Sequence, residues 1–338
     1  MKTNTFKMML LLLCNALLLF ACSKDENDPT KEPQYQIDVH VVGYELDRSY
    51  GVATYWKNGE AIRLGDGTAN SIANSIVVSD GDIHISGQDG GAAMYWKNGQ
   101  PSPLTDGSKS AWTANLFLSN RDVYIIGNEY SGSKNSAMYW KNGIKNTIEE
   151  GKYNTVWSIF VAEGSIYAAG NHSSSPLPDV ATIWKDGVPT VLPNGHRANS
   201  VFVENGNVHA VGGYFHEDKS IAMYWKNGTP QPLTDGTEDA EASSIQIHDG
   251  NIYIAGYSGH SAVYWKNGEL VKLTRDNQYS AARSIFVFED DIYVAGAEYN
   301  LTGSIIATYW KNGVATSLTS TIGDAYASSI FVTKTLLE

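Results

Sequence analysis

Residues 282–319 have the sequence ARSIFVFEDDIYVAGAEYNLTGSIIATYWKNGVATSLT, in which four short apolar segments are separated by turn residues. The segments SIFV, IYVAG, ATYWK and VATSL have the length and the β-branched and aromatic content of strands. The Asn312-Gly313 pair between the last two segments is preferred in type I′ hairpins, because both residues tolerate a positive φ. This stretch therefore predicts a four-stranded antiparallel meander, whose strands are called a, b, c and d in chain order.

The same pattern recurs along the chain. The string Tyr-Trp-Lys-Asn-Gly begins at Tyr55, Tyr95, Tyr139, Tyr224, Tyr264 and Tyr309, and the variant Ile-Trp-Lys-Asp-Gly begins at Ile183. The seven tryptophans of these strings are 40, 44, 44, 41, 40 and 45 residues apart. A period of about 40–45 residues is typical of β-propeller blades. The sequence therefore predicts an all-β fold, a seven-bladed β-propeller with four antiparallel strands per blade.

The two ends of the repeat region predict how the ring closes. The first copy begins at strand b, in residues 39–43, and the last copy stops after a lone strand a, in residues 329–332. Neither end has a whole blade, but together they make one. The C-terminal strand is therefore expected to join the N-terminal three strands, which would hide both sheet edges. The propeller is assigned to residues 35–338.

The strand-b glycine, the hairpin and the aromatic strand c resemble those of kelch and related bacterial propellers. The double glycine of kelch repeats occurs in one copy, at Gly212-Gly213, so the resemblance concerns architecture. It covers the chain from about residue 35 to the end.

The start of the chain predicts an export signal. Residues 1–21 contain two lysines and then an apolar run over residues 8–20, which is shorter than the roughly 20 residues of a membrane-spanning helix. This pattern indicates a signal peptide at residues 1–21. The residues Leu-Phe-Ala-Cys that end at Cys22 resemble the lipobox of bacterial lipoproteins. That resemblance implies lipidation of Cys22, which would become the mature N-terminus and attach the protein to a membrane.

Residues 22–34 are predicted to be a lipidated flexible tether, because the segment SKDENDPTKEP is polar, charged and proline-bearing. The acidic stretch directly after Cys22 resembles the surface-export signal of Bacteroidota lipoproteins. This resemblance implies an outer-membrane protein that is displayed at the cell surface. Cys14 would leave with the signal peptide, so neither a disulfide nor a cysteine metal site is expected.

The charge of the chain disfavours one class of partner. The formal net charge is −12, and removal of residues 1–21 leaves 22 basic and 36 acidic residues, a net charge of −14. Nucleic-acid binding needs a basic face, so no nucleic-acid partner is expected. The chain has no G-x-S-x-G, H-E-x-x-H or EF-hand motif, and we predict no metal, cofactor or catalytic residue.

Comparison of the seven copies separates scaffold positions from candidate site positions. The repeat tryptophans share one position and are expected to pack blade against blade. His40, His84 and His209 share a strand-b position that holds tyrosine in the other copies. A position that accepts either side chain is expected to be structural. The lysines of the hairpins are expected to be solvated.

The ligand is expected on the face that carries the b–c and d–a loops. These loops are longer and differ between blades, and function on a rigid scaffold usually resides in variable loops. The candidate ligand-binding residues are Trp112, Tyr153, Trp157, His196, Tyr214, Phe215, His216, Tyr257, His260, Tyr279, Arg283, Tyr299 and Tyr326.

One position that enters strand a is expected to face the mouth of the central channel. Round the ring it is occupied by Asn74, Asn115, Trp157, Asn199, Ser243, Arg283 and Ser328. Trp157 and Arg283 depart from this otherwise small polar pattern. They are therefore the preferred single candidates.

Three functions are compatible with the sequence. Aromatic loops with polar neighbours favour a non-catalytic binding module for a glycan or a protein partner. The alternatives are a structural platform in a surface complex and a glycan hydrolase or lyase. The enzyme has less support, because the chain lacks the Ser-x-Asp-x-Gly-x-Thr-Trp boxes of sialidases and the tryptophan-docking motif of quinoprotein dehydrogenases. Acid–base chemistry could reside in one loop cluster, His216, Glu217 and Asp218.

Overall fold

The computed structural model describes residues 34–47, 49–132, 134–149, 154–173, 179–275, 278–319 and 323–337. The signal peptide, Cys22 and all but the last residue of the tether lie outside these ranges, as does the candidate residue Tyr153. No helix within the described ranges is long and apolar enough to cross a membrane. Residues 37–335 form one compact unit. In the other unit, the Leu337 N–H donates a hydrogen bond to the Gln34 carbonyl.

The described residues form seven four-stranded antiparallel sheets, which confirms the predicted seven-bladed propeller. Blades are numbered 1 to 7 in the chain order of their c strands. The a strands of blades 1 to 7 are β28 (Ala325–Leu336), β4 (Ser71–Ser79), β8 (Ser110–Ser119), β12 (Thr155–Ala162), β16 (Arg197–Glu204), β20 (Ala240–His248) and β24 (Ser280–Phe288). The b strands are β1 (Tyr35–Asp47), β5 (Asp82–Asp89), β9 (Asp122–Tyr130), β13 (Ser165–His172), β17 (Asn207–His216), β21 (Asn251–Ser258) and β25 (Asp291–Tyr299).

The c strands are β2 (Tyr50–Lys57), β6 (Ala92–Lys97), β10 (Asn135–Lys141), β14 (Val180–Lys185), β18 (Lys219–Lys226), β22 (Ser261–Lys266) and β26 (Ile305–Lys311). The d strands are β3 (Glu60–Arg63), β7 (Gln100–Pro103), β11 (Ile144–Glu149), β15 (Val188–Val191), β19 (Thr229–Pro232), β23 (Glu269–Lys272) and β27 (Val314–Ser317). Successive a strands from β4 to β24 pack against one another and surround the central channel.

The ring closes as the sequence predicts, because the sheet of blade 1 has the strand order β28-β1-β2-β3. The His40 imidazole of β1 is hydrogen-bonded to the Thr333 hydroxyl of β28, at 2.9 Å. The Ile330 N–H of β28 donates to the Ser284 hydroxyl of blade 7, at 3.3 Å. The C-terminal strand therefore joins its own blade and contacts the preceding one.

The seven repeat tryptophans form the core between blades. All seven have at most 1% of their surface exposed. Trp225 of blade 5 packs with Ile183 and Leu192 of blade 4 and with Val201 and Met223 of its own blade. The other six tryptophans lie in equivalent clusters. Their predicted role as blade-to-blade packing residues is confirmed.

The c–d hairpins adopt the type I′ turn that the Asn-Gly pairs predict. In blade 1, Asn58 has φ 53° and Gly59 has φ 86°. The Asn58 side chain accepts a hydrogen bond from the Val39 N–H at 2.8 Å and donates one to Asp38 at 2.7 Å. Lys57 forms an ion pair with the same carboxylate at 2.9 Å. Equivalent ion pairs occur in three other blades, and the lysine side chains of these pairs are 42–50% exposed, so the hairpin lysines are solvated as expected and also bind a carboxylate.

The shared histidine position of strand b is structural. The imidazoles of His40, His84 and His209 are hydrogen-bonded to a strand-c tyrosine hydroxyl at 2.7, 2.6 and 2.7 Å. Burial is the main reason that the pKa of His40 and that of His209 fall to about 4. Burial also lowers the pKa of His84. These three imidazoles are therefore neutral parts of the scaffold at neutral pH.

Candidate ligand-binding cavity

Strand a carries a β-bulge near its start in blades 2 to 7. In blade 2, Ala73 pairs with Gly87 and Ser75 pairs with Ser86, so Asn74 has no partner across the ladder. A bulge locally re-aims its unpaired residue, and here that residue lines the mouth of the channel. The bulge residues are Asn74, Ala114, Trp157, Asn199, Ser243 and Arg283, and Ser328 is their equivalent in β28.

A glycine of strand b faces the bulge in blades 2 to 7, and Gly43 is its equivalent in blade 1. A Cβ atom on Gly87 would lie 2.0 Å from the carbonyl oxygen of Ile72. The corresponding distances in the other blades are 1.8–2.1 Å, at Gly43, Gly127, Gly170, Gly212, Gly256 and Gly296. Only glycine therefore lets strand b approach the bulged strand a so closely, which explains why this residue recurs.

The bulge corrects one member of the ring predicted from the sequence. In blade 3 the unpaired residue is Ala114, and Asn115 stands one position later, where the other blades have serine. That serine accepts a hydrogen bond from the next blade, as Ser75 does from the Leu116 N–H at 3.1 Å. Asn115 has the same role, because its Oδ1 accepts from the Ile159 N–H at 3.2 Å. Asn115 is therefore a scaffold residue.

A cavity of about 680 Å³ opens where the bulges meet the channel. Apart from Thr113, its lining residues occupy three positions of the repeat: the bulge residue, the residue two positions before it, and the residue after the strand-b glycine. The second position contributes Ile72, Trp112, Arg197, Glu241, Ala281 and Tyr326. The third contributes Tyr44, Gln88 and Tyr257. No two blades present the same combination of side chains, although the surrounding repeat is nearly uniform.

One wall of the cavity is a connected polar network on blades 4 to 6. The Arg197 guanidinium lies over the Trp157 ring, 4.5 Å from its centroid, and its Nε donates to Asn199. The same nitrogen lies 3.6 Å from the Glu241 carboxylate, which also accepts from Asn199 at 2.7 Å. The Trp157 indole N–H donates to Asn171 at 3.2 Å. Each charged group of this wall therefore has a partner of its own.

The remaining lining of the cavity includes three phenols and a second arginine. The rings of Tyr44 and Tyr326 are stacked, with centroids 4.9 Å apart. Burial raises the pKa of Tyr44 to about 12 and also raises the pKa of Tyr257 and Tyr326, so these phenols are neutral hydrogen-bond donors at neutral pH. Arg283 is exposed and makes no hydrogen bond or ion pair with another described residue.

The structure divides the candidate residues predicted from the sequence into two groups. Five line the cavity: Trp112, Trp157, Tyr257, Arg283 and Tyr326. Seven others lie outside its lining: His196, Tyr214, Phe215, His216, His260, Tyr279 and Tyr299. The first group converges on one space, and the second group occupies separate places in the outer loops and strand ends.

The residues of the second group contact one another in two places: His196, Tyr214, Phe215 and His216 on blade 5, and His260, Tyr279 and Tyr299 on blades 6 and 7. His196 is stacked on Phe215 with centroids 3.9 Å apart. The His260 and Tyr279 rings lie 4.0 Å apart, and Tyr299 meets Tyr279 edge-on at 6.0 Å. His216, the centre of the proposed acid–base loop, ends β17 and pairs with Lys219 across a hairpin outside the cavity.

Sequence reasoning missed four functional candidates, Tyr44, Gln88, Arg197 and Glu241. They occupy two positions of the repeat, the one two residues before the bulge residue and the one after the strand-b glycine. The side chains at both positions differ between copies. Alignment of the copies on the strand-b glycine would have revealed that divergence. Within the described ranges, no group of three or more His, Cys, Asp or Glu residues is arranged to hold a metal ion.

Comparison with known proteins supports the fold. No family model and no curated sequence matches the chain. A puromycin-hydrolyzing peptidase of Mycobacterium tuberculosis matches with a TM-score of 0.54 and 10% identity, over 83% of this chain and 52% of that one. The uncomplexed acylaminoacyl peptidase of Pyrococcus horikoshii matches with a TM-score of 0.50 and 13% identity, over 84% and 51%.

The β-propeller domain of the Trilobed protease from Pyrococcus furiosus is also similar, with a TM-score of 0.48 and 12% identity over 84% of this chain and 94% of that one. The chain spans about half the length of the two peptidases above. Likeness at such low identity concerns the fold alone, since one fold can host unrelated functions. The chain is a seven-bladed β-propeller.

Proposed function

We propose that the chain is a non-catalytic binding module that holds an oligosaccharide in the cavity at the mouth of its central channel. The observation that carries this proposal is the set of divergent side chains on three repeat positions, which places aromatic faces beside amide and guanidinium groups. Small-molecule sites combine apolar and aromatic walls with a few convergent polar groups, and their volumes are roughly 300–1,000 Å³. The cavity of about 680 Å³ fits that description.

The aromatic residues of the cavity suit sugar rings. Trp112, Trp157 and Tyr257 can cover the apolar faces of a pyranose, and Gln88 and Asn74 can exchange hydrogen bonds with its hydroxyl groups. The network between Trp157, Arg197 and Glu241 holds one wall in place before a ligand arrives. Such preorganisation reduces the entropy that binding would otherwise lose.

The arrangement of carboxylates favours binding over hydrolysis. Glycoside hydrolysis generally uses two carboxyl groups on either side of the scissile bond. Among the described residues that line the cavity, Glu241 is the only carboxylate, and it is engaged by Arg197 and Asn199. A catalytic acid–base pair therefore has no support at this place.

The test is a glycan array followed by calorimetry on the purified full chain. Trp157→Ala should weaken binding of the best oligosaccharide at least tenfold, because it removes an aromatic wall. Phe215→Ala is the matched control, since its ring is exposed outside the cavity, and it should bind as the unaltered protein does. Failure of every oligosaccharide to bind would contradict the proposal. Binding that is weakened by Phe215→Ala and not by Trp157→Ala would indicate that the ligand binds at the outer loops.

We further propose that lipidated Cys22 anchors this module to the outer membrane, on the cell surface. The support is the sequence of residues 1–34. Cys22→Ala should abolish labelling by a fatty-acid analogue and release the protein from the membrane fraction. Cys14→Ala is the control and should leave both unchanged. Unaltered labelling and partitioning of Cys22→Ala would contradict the anchor, and protease treatment of intact cells tests surface display.

A further inference from the structure

We propose that the saccharide unit held in the cavity carries an anionic group, a carboxylate or a sulfate, and that Arg283 binds it. This inference rests on the proposed function and names the class of ligand. It begins with the difference between the two arginines of the cavity. Arg197 is stacked on Trp157 and bonded to Asn199 and Glu241, whereas Arg283 has no partner among the described residues.

The acidic groups that act on the phenols of the cavity are already engaged by other residues. Glu241 is held by Arg197 and Asn199. Asp324, which lies near Tyr44 and Tyr326, accepts a hydrogen bond from the Ile305 N–H at 2.8 Å. Asp239, near Tyr257, accepts one from the Ser220 N–H at 3.0 Å. None of these carboxylates forms an ion pair with Arg283 in the described part of the chain.

The groups around Arg283 complement an anion. Arg283 lines the same cavity as Tyr44, Tyr257 and Tyr326, and its positive charge acts on the ionisation of all three phenols. A guanidinium presents N–H donors in a planar fork that matches a carboxylate or a sulfate with two parallel hydrogen bonds. The neutral phenols can donate to the remaining oxygens and add no competing negative charge.

General attraction of polyanions cannot supply this binding. The chain has a net charge of −12, so its average field repels anions. That repulsion is largely screened beyond roughly 8 Å at physiological ionic strength. Affinity for an acidic saccharide would therefore report a local site, which makes the loss of a single arginine informative.

The experiment compares trisaccharides that bear glucuronate, galacturonate or sulfate groups with their neutral counterparts, by calorimetry on the full chain. We expect the anionic members to bind at least tenfold more tightly than the neutral ones. Arg283→Gln should remove that preference, and the carboxylate and sulfate arms tell which anion is used. Arg121→Gln is the control, because Arg121 is exposed in the a–b turn of blade 3, at the other end of strand a.

Arg283→Gln should melt at the same temperature as the unaltered protein, since the side chain is exposed and unpartnered among the described residues. Equal affinity for neutral and anionic trisaccharides, or an anionic affinity that Arg283→Gln leaves unchanged, would overturn this inference and leave the oligosaccharide module intact. Failure of all the trisaccharides and of the glycan array would overturn the proposed function itself.

Discussion

Tryptophan has two different roles in this chain, and one pair of substitutions separates them. Trp225 is fully buried between blades, and its indole N–H donates to the Pro193 carbonyl at 2.8 Å. Trp225→Ala should therefore destabilise the protein by about 3–5 kcal/mol, as large core truncations do. Trp157 lines the cavity and is partly exposed, so Trp157→Ala should cost much less stability and should weaken binding. Urea midpoints and oligosaccharide affinity measure both effects. Equal destabilisation with unchanged binding would mean that the two roles are wrongly assigned.

Substitutions at the adjacent residues Gly212 and Gly213 test why the strand-b glycine recurs in every blade. A Cβ on Gly212 would lie 2.0 Å from the Arg197 carbonyl oxygen. This is a backbone atom, and it can move away only if the bulged segment of strand a moves with it. Gly212→Ala should therefore cost about 3 kcal/mol, the upper end of the usual overpacking penalty. A Cβ on Gly213 would meet side-chain atoms of His196 and Ser220 at 2.8 and 3.1 Å, and side chains can rotate away. Gly213→Ala should cost about 1 kcal/mol by the same measurement. Equal urea midpoints for the two variants would disprove this account of the recurrent glycine.

The buried histidines predict how stability depends on pH. His40 and His209 have a folded-state pKa of about 4, below the ordinary value of 6.5, so the unfolded chain binds more protons between these values. Their contribution is present above about pH 6.5 and is lost as the pH falls towards 4, by roughly 3 kcal/mol for each histidine. Urea midpoints between pH 4 and 7.5 should fall accordingly. His209→Tyr, which installs the residue found in four other blades, should flatten the slope. A slope that this variant leaves unchanged would show that other groups cause it.

At the scale of the strand, the C-terminal strand decides whether the ring is closed. Deletion of residues 328–338 removes Ile330 and Val332, which are 3% and 2% exposed, and leaves one edge of β1 unpaired. An unpaired edge is a template for aggregation. The truncated protein should therefore melt well below the full chain or elute as aggregates in size-exclusion chromatography. The same melting temperature and elution volume as the full chain would show that the strand is dispensable.

Elements whose chemistry is local could be predicted from the sequence. The Asn58-Gly59 pair specifies its turn through the φ values of two adjacent residues, so the hairpin needed no tertiary information. The β-bulge could not be predicted in the same way, because it is defined by pairing across the sheet. In blade 3 the run Thr113-Ala114-Asn115 allows two alignments, and only the register with β9 shows that Ala114 is the unpaired residue.

At the scale of the whole molecule, the ring should hold one ligand and not seven. Blade 4 contributes Trp157, blade 6 contributes Tyr257 and blade 7 contributes Arg283 to a single cavity. Since the blades differ at these positions, they do not form repeated identical sites. Calorimetry and native mass spectrometry should give a stoichiometry of one oligosaccharide per chain. Several equivalent sites per chain would place binding between blades or at their outer edges.

The closed ring was predictable, and the composition of its cavity was only partly so. Seven copies of a repeat, with three strands of one blade at the start and its fourth strand at the end, admit one simple closure. The cavity joins residues as distant in sequence as Tyr44 and Tyr326, whose rings stack across blade 1. Tyr326 was predicted as a loop aromatic, but Tyr44 lies within a strand and carries no loop signal.

At the bulge, the backbone conformation does not depend on which side chain the unpaired residue carries. The same backbone carries Ala114 in one blade and Trp157 in another, while the facing glycine and the following serine or asparagine keep the blades in register. These positions are therefore natural candidates for a combinatorial library. Randomising the bulge residue and its two lining neighbours in a few blades, with the glycines and tryptophans kept, should yield receptors of new specificity from one stable framework. A few substitutions at these positions can therefore change which ligand the protein binds while its fold stays the same.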